Sequence, residues 1–174
     1  YLRITEVMYN PIGGSALEFI EVLNTGPITI DITSSSFADG QPFTSSPFPA
    51  ASLAPGEYGL IVSDAAAFTA QYGSGFNIIA EWPAGALSNG GERIVFRGPL
   101  GNVIHDFTYD DLAPWPTAAD GSGPSLEVID TEGDYNDPLN WRATTTGGSP
   151  GEATIFDSDG DGLSDADEIT NGTD

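Results

Sequence analysis

The 174-residue chain has no cysteine, no lysine, one histidine and one methionine. Without cysteine there is no disulfide framework, no thiol nucleophile and no thiolate ligand for zinc. A lone histidine, His105, cannot build an imidazole-rich zinc centre, and no G-x-S-x-G elbow marks a serine nucleophile. Four arginines face 26 acidic residues, for a net charge of −22. A field of that sign repels phosphate, which excludes nucleic acid as a partner and disfavours anionic membranes. No run of about 18 apolar residues is present, so the sequence predicts no membrane insertion. Nor is there a signal-peptide pattern. The chain begins inside a strand-like run and stops at Asp174, as if both ends were cut from something longer. Export is therefore an inference from the motifs below.

Hydrophobic residues make up 39% of the chain, enough for a packed core. The strongest local pattern is Gly90 to Tyr109. Ile94 and Phe96 alternate with Arg93, Val95 and Arg97. Across a Gly98–Asn102 loop, Val103, His105, Phe107 and Tyr109 alternate with Ile104, Asp106 and Thr108. A period of two joined by a glycine-bearing loop predicts a β-hairpin with one buried face. Further strands are expected over Leu2–Tyr9, Leu17–Asn24, the ITIDIT run from Ile28, Tyr58–Ser63, Phe76–Glu81 and Ser125–Asp130. Pro138–Arg142 should close the domain. Glu18 and Glu21 fall on opposite faces of their strand and so do not make a facing carboxylate pair. One short helix is expected after Asp64, an N-cap, with Gly73 at the C′ position. Roughly eight to ten short strands, with turn signals every 8–12 residues or so, indicate a sandwich or barrel.

Several segments are familiar as a set: ITEVMYNP, EFIEVLNTG, LAPGEYGLIVSD, LSNGGERIVFRGPLGNVIHDFTY, PWPTAADGSGPSLE and NDPLNWRA. Together they resemble the lamin tail domain of bacterial exported proteins, over residues 1–152. The resemblance implies an all-β, immunoglobulin-like β-sandwich and no activity of its own. The family serves as an accessory module beside nucleases, hydrolases and surface proteins, and fold alone does not fix function. The family's usual tryptophan after the third strand is replaced here by Ser36-Phe37, so Phe37 is expected to fill that place in the core.

Ala143 to Thr154, rich in Gly, Thr and Pro, reads as a linker. Beyond it the composition turns acidic, and residues 153–174 form a second unit. Asp157 to Glu168 matches D-x-[DN]-x-[DN]-G-x₅-E at every position. Carboxylates of Asp157, Asp159 and Asp161 converge on a cation and Gly162 allows the sharp turn. Leu163 offers its carbonyl, Asp165 binds directly or through water, and Glu168 binds bidentately. Ca²⁺ suits such an oxygen set better than Mg²⁺, which keeps its waters and demands an octahedron. This is an EF-hand-like calcium loop without the flanking helices of an EF-hand. It resembles the first unit of a thrombospondin type 3-like repeat, a calcium-stiffened spacer of exported proteins.

With no nucleophile–base pair in view, the chain is expected to be non-catalytic. His105 shares a face with Phe107 and Tyr109, as a structural histidine would. A carboxylate-pair glycosidase needs only spatial pairing of acids, which a sequence does not reveal. The rival reading is a carbohydrate-binding module. Trp82, Trp115 and Trp141 are its candidate platforms, and Trp115, between two prolines in a loop, is the one expected at the surface. A protein partner at a sheet edge leaves no mark in the sequence. The expectation is an extracellular or cell-surface accessory module.

Overall fold

The computed structural model describes residues 1–38 and 47–152. Residues 39–46, within the Ser/Pro-rich stretch, and 153–174, with the calcium pattern, lie outside the described residues. In chain order the elements are β1 (Leu2–Met8), β2 (Phe19–Asn24), β3 (Ile30–Asp31), β4 (Ser36–Phe37), β5 (Ser52–Leu53) and β6 (Tyr58–Val62). Then come α1 (Ala65–Tyr72), β7 (Ile78–Glu81), β8 (Glu92–Arg97), β9 (Val103–Tyr109), β10 (Leu126–Val128) and β11 (Trp141–Ala143).

The large sheet runs β11-β10-β1-β2-β6-β7, opposed by β4-β8-β9 and the short β3-β5 pair. All neighbours are antiparallel except β6 and β7, which α1 connects as a crossover. The inner faces share one core, in which Ile4, Ile20, Val22, Ile94, Phe96 and Phe107 meet. Phe37 lies in that core as expected, stacked on Phe96 with ring centroids 4.9 Å apart. Burying one such ring contributes roughly 2–3 kcal/mol.

The hairpin forms where its alternation placed it, with Gly98 donating to the Asn102 carbonyl at 2.9 Å. Its register slips between Phe96 and Arg97, and this bulge leaves Val103 exposed rather than on the core face. Only Ile30–Asp31 of the ITIDIT run pairs as a strand. The reason is local: the Asn24 amide donates to the carbonyls of Ile28 (2.8 Å) and Leu53 (2.9 Å), so the run enters as a turn and Ile28 faces solvent.

The large sheet is also buried on its outer face. Met8, Phe19, Leu60, Val62 and Phe68 form a second core there, beneath α1. The helix starts at Asp64, whose carboxylate accepts from the Ala67 amide at 2.9 Å, and ends at Gly73, where φ is 96°. Both caps match the sequence expectation. In the opposing sheet the edge strand β9 is blunted by Asn136, whose side-chain oxygen accepts from the Thr108 amide at 3.1 Å.

Candidate functional site

His105 sits in the core at 8% exposure. Its Nε2 accepts from the Ile4 amide at 3.3 Å, and its ring lies 4.4 Å from that of Tyr135. Burial, together with nearby Arg3, lowers its pKa to about 4, so it is neutral at physiological pH. It ties β9 to β1 as a hydrogen-bond acceptor.

The surface placement expected of Trp115 is corrected. The side chain is only 8% exposed and its ring packs against Trp141 at 5.8 Å. The two prolines brace an inward-pointing ring, because Trp141 and Phe107, stacked at 5.3 Å, offer an apolar wall behind it. Trp141 and Trp82 are buried as well, so none of the three presents a flat face to a sugar. Asp157, Asp159, Asp161, Leu163, Asp165 and Glu168 lie outside the described residues.

The chemistry the structure brings together is in glutamates. Glu6 of β1 pairs across the ladder with Glu21 of β2 on one side and Glu127 of β10 on the other. All three are buried. Like charges side by side in a sheet oppose folding unless each is satisfied or neutralised. Glu127 is held by Arg142 at 2.7 Å. Glu6 accepts from the Ser125 hydroxyl and, at 2.9 Å, from the Ser149 amide. Glu21 accepts from the Thr5 hydroxyl at 2.7 Å and from the Gly151 amide. Burial raises the pKa of Glu6 to about 7. Burial and the neighbouring Glu6 raise that of Glu21 to about 8.

Ser149 and Gly151 belong to the stretch expected to be a linker, and the structure corrects that reading up to residue 152. The segment crosses the outer face of the large sheet as a strap, because the buried carboxylates need donors and its amides supply them. Gly148 is where the strap comes closest. Its φ is 77°, and a Cβ there would lie 2.5 Å from Glu6 Oε1 and 3.2 Å from the Phe19 ring.

A second carboxylate pair lies at the start of β2. Glu18 Oε2 accepts from the Leu87 amide at 2.7 Å, and Glu92 Oε1 from the next amide, Ser88, at 2.8 Å. The Tyr109 hydroxyl also reaches Glu92 Oε1, at 3.1 Å. Burial raises both carboxylates to a pKa of about 7. Glu18 and Glu21 are indeed not a facing pair, but each faces another glutamate. Sequence reading missed both clusters because the partners lie on different strands. The one available signal was glutamate flanked by apolar residues in a strand, at Glu18, Glu21 and Glu127; Glu6, beside Thr5, and Glu92, beside Arg93, carried none. Among the described residues no three His, Cys, Asp or Glu side chains are placed to hold a metal ion.

These features define a mostly β protein with an immunoglobulin-like sandwich and a single α-helix among the described residues. The chain belongs to the lamin tail domain family, whose model matches residues 1–111. β10 and β11 lie beyond the match but complete the large sheet. No curated protein and no solved structure is significantly similar to the chain.

Proposed function

We propose that the chain is a non-catalytic accessory module of an exported or cell-surface bacterial protein. Its sandwich serves as a rigid interaction or support unit, and its C-terminal segment is a calcium-stiffened spacer of thrombospondin type 3-like character. The observation that carries this reading is the strap. Glu6 and Glu21 hold the backbone of Ser149 and Gly151 against the sheet, a few residues before the Asp157–Glu168 pattern. A calcium loop placed there is mounted on a fixed base, as a spacer requires. Family membership is compatible with an interaction module.

In this reading Asp157, Asp159, Asp161, Leu163, Asp165 and Glu168 bind one Ca²⁺ with a Kd around 10⁻⁴–10⁻³ M, the range of extracellular modules. Calcium should protect residues beyond 152 from proteolysis and leave the sandwich's circular dichroism unchanged. The Asp157→Ala/Glu168→Ala double variant should lose that protection. Equal cleavage with and without saturating Ca²⁺ in the wild-type chain overturns the proposal. A carbohydrate-binding role would have to use a surface other than the three tryptophans. Retention of the chain on insoluble polysaccharide, unchanged in Trp115→Ala, would be its signature.

A further inference from the structure

The strand β2 begins beside a cavity of about 510 Å³, within the size range of small-ligand sites, between the Asn10–Ser15 turn and the Ala86–Asn89 loop. Glu18 is the one charged residue on its wall, and it is only 2% exposed. Its Oε2 accepts from the Leu87 amide at 2.7 Å, which fixes the carboxylate in place. Oε1 has no donor among the described residues, and it is not sealed in the core as Glu92 Oε2 is. Oε1 is thus the oxygen left to the cavity. Glu18 takes part in none of the arginine ion pairs of the described residues, and the negative charge of Glu92 acts on it as well. A carboxylate withdrawn from water without a counter-ion is costly, and a single positive charge at Oε1 would offset that cost.

We propose that this cavity receives the side-chain ammonium of a lysine on a partner protein, with Glu18 as its counter-ion. One carboxylate matches one positive charge. An ammonium carries three donors, and Asn10, Ser15 and Asn89 on the same wall offer neutral oxygens for those that Glu18 does not take. The Asn10 side-chain nitrogen is already given to Asp120, at 2.6 Å, so its oxygen is the end that serves a ligand. Arginine fits less well, because its planar fork seeks both oxygens of a carboxylate and Leu87 holds one of them. Pro11 and Leu87 give the lysine methylenes an apolar wall. An amino sugar carries the same ammonium, but no aromatic ring lines the cavity to stack on the sugar. The chain itself has no lysine, so the side chain comes from a different protein rather than a second copy. The net charge of −22 attracts such a basic partner from a distance. This names a contact for the sandwich as an interaction unit, and it rests on that reading for the existence of a partner.

Nuclear magnetic resonance titration of the full chain with Nα-acetyl-lysine methylamide tests the site without any partner. The amide signals of Ser15, Leu87 and Asn89 should shift and saturate. The Nε-acetylated probe, which has no charge, and the arginine analogue should each bind at least tenfold more weakly. Glu18→Gln, which still accepts the Leu87 amide, should weaken the lysine probe at least tenfold. Affinity should also rise about tenfold from pH 6 to pH 8, because burial holds the Glu18 pKa at about 7 and the ammonium binds the ionised form. Glu92 titrates over the same range and adds to that rise, while the Tyr109 hydroxyl stays protonated. Absence of shifts at these amides, equal binding of the Nε-acetylated probe, or a Glu18→Gln affinity equal to wild type overturns the proposal. Tighter binding of glucosamine than of the lysine probe overturns the choice of lysine. If Glu18→Gln does not fold, the wild-type pH series decides: an affinity that is flat or falls from pH 6 to pH 8 overturns the site. Such a failure would leave the calcium-stiffened accessory module standing, since proteolysis of the C-terminal segment tests that separately.

Discussion

At Gly148 the strap passes over Glu6 with a backbone angle that L residues avoid, φ 77°, and with no room for a methyl group. Gly148→Ala therefore combines left-handed strain with a clash against a buried carboxylate. It should cost about 1–3 kcal/mol, seen as a lower midpoint in urea unfolding. An unchanged midpoint would mean that the strap lifts away at no cost. Tyr135 makes a comparable point within the core. Its hydroxyl donates to the Ile4 carbonyl at 2.8 Å, and its ring packs between His105 and Trp141. Tyr135→Phe keeps the ring and leaves that carbonyl without its side-chain donor. The expected loss is about 1 kcal/mol, measured in the same assay.

Among the elements, α1 is the one whose formation is most local. Asp64 caps it through Ala67, and the helix buries Phe68 against Phe19, the rings edge-on at 5.6 Å. Asp64→Ala should destabilise the protein by about 1 kcal/mol and leave the sheet's spectrum intact; Asp64→Asn should recover most of the loss. That locality is why the helix and both its caps could be read from the sequence, as could the β8–β9 hairpin, whose arms are joined by one short loop. The strap could not be read. Ser149 and Gly151 bond to carboxylates 143 and 130 residues earlier in the chain, and nothing in a Gly/Thr/Pro-rich run announces such partners. Trp115 was misread for a related reason. Flanking prolines describe the backbone, but the side chain's direction is set by Trp141 and Phe107, which arrive from other strands. The calcium pattern is the reverse case: its spacing is explicit in the sequence and lies outside the residues the structure describes.

For the whole molecule, acidic groups with raised pKa values set the response to pH. Glu6 and Glu21 have pKa values of about 7 and 8 in the folded state, against the ordinary carboxyl range near 4.3 in the unfolded chain. The folded state then binds more protons than the unfolded state between those limits. Its stability is fully present below about pH 4 and is lost as pH rises through about 7–8. The charge of the neighbouring Glu127 pushes both of these carboxyls further up, which reinforces that sign. His105 acts oppositely, because its lowered pKa removes stability as pH falls below about 6.5 toward 4. Between pH 8 and pH 6 the glutamates dominate. The thermal midpoint should rise on going from pH 8 to pH 6, by the equivalent of several kcal/mol, since one carboxyl with a pKa of about 7 alone contributes about 1.4 kcal/mol. In Glu21→Gln that rise should be smaller, the remainder coming from Glu6, Glu18 and Glu92. A midpoint that is flat or falls over the same interval contradicts the raised carboxyls.

The strap also decides how the domain meets mechanical load. Tension arriving from beyond residue 152 does not reach β11 first. It meets the amide bonds of Gly151 and Ser149 to β2 and β1, two strands near the middle of the large sheet. Those bonds act as a sacrificial stitch, released before any ladder between strands is peeled. Their release lengthens the tether by a few residues while the sandwich behind it stays folded.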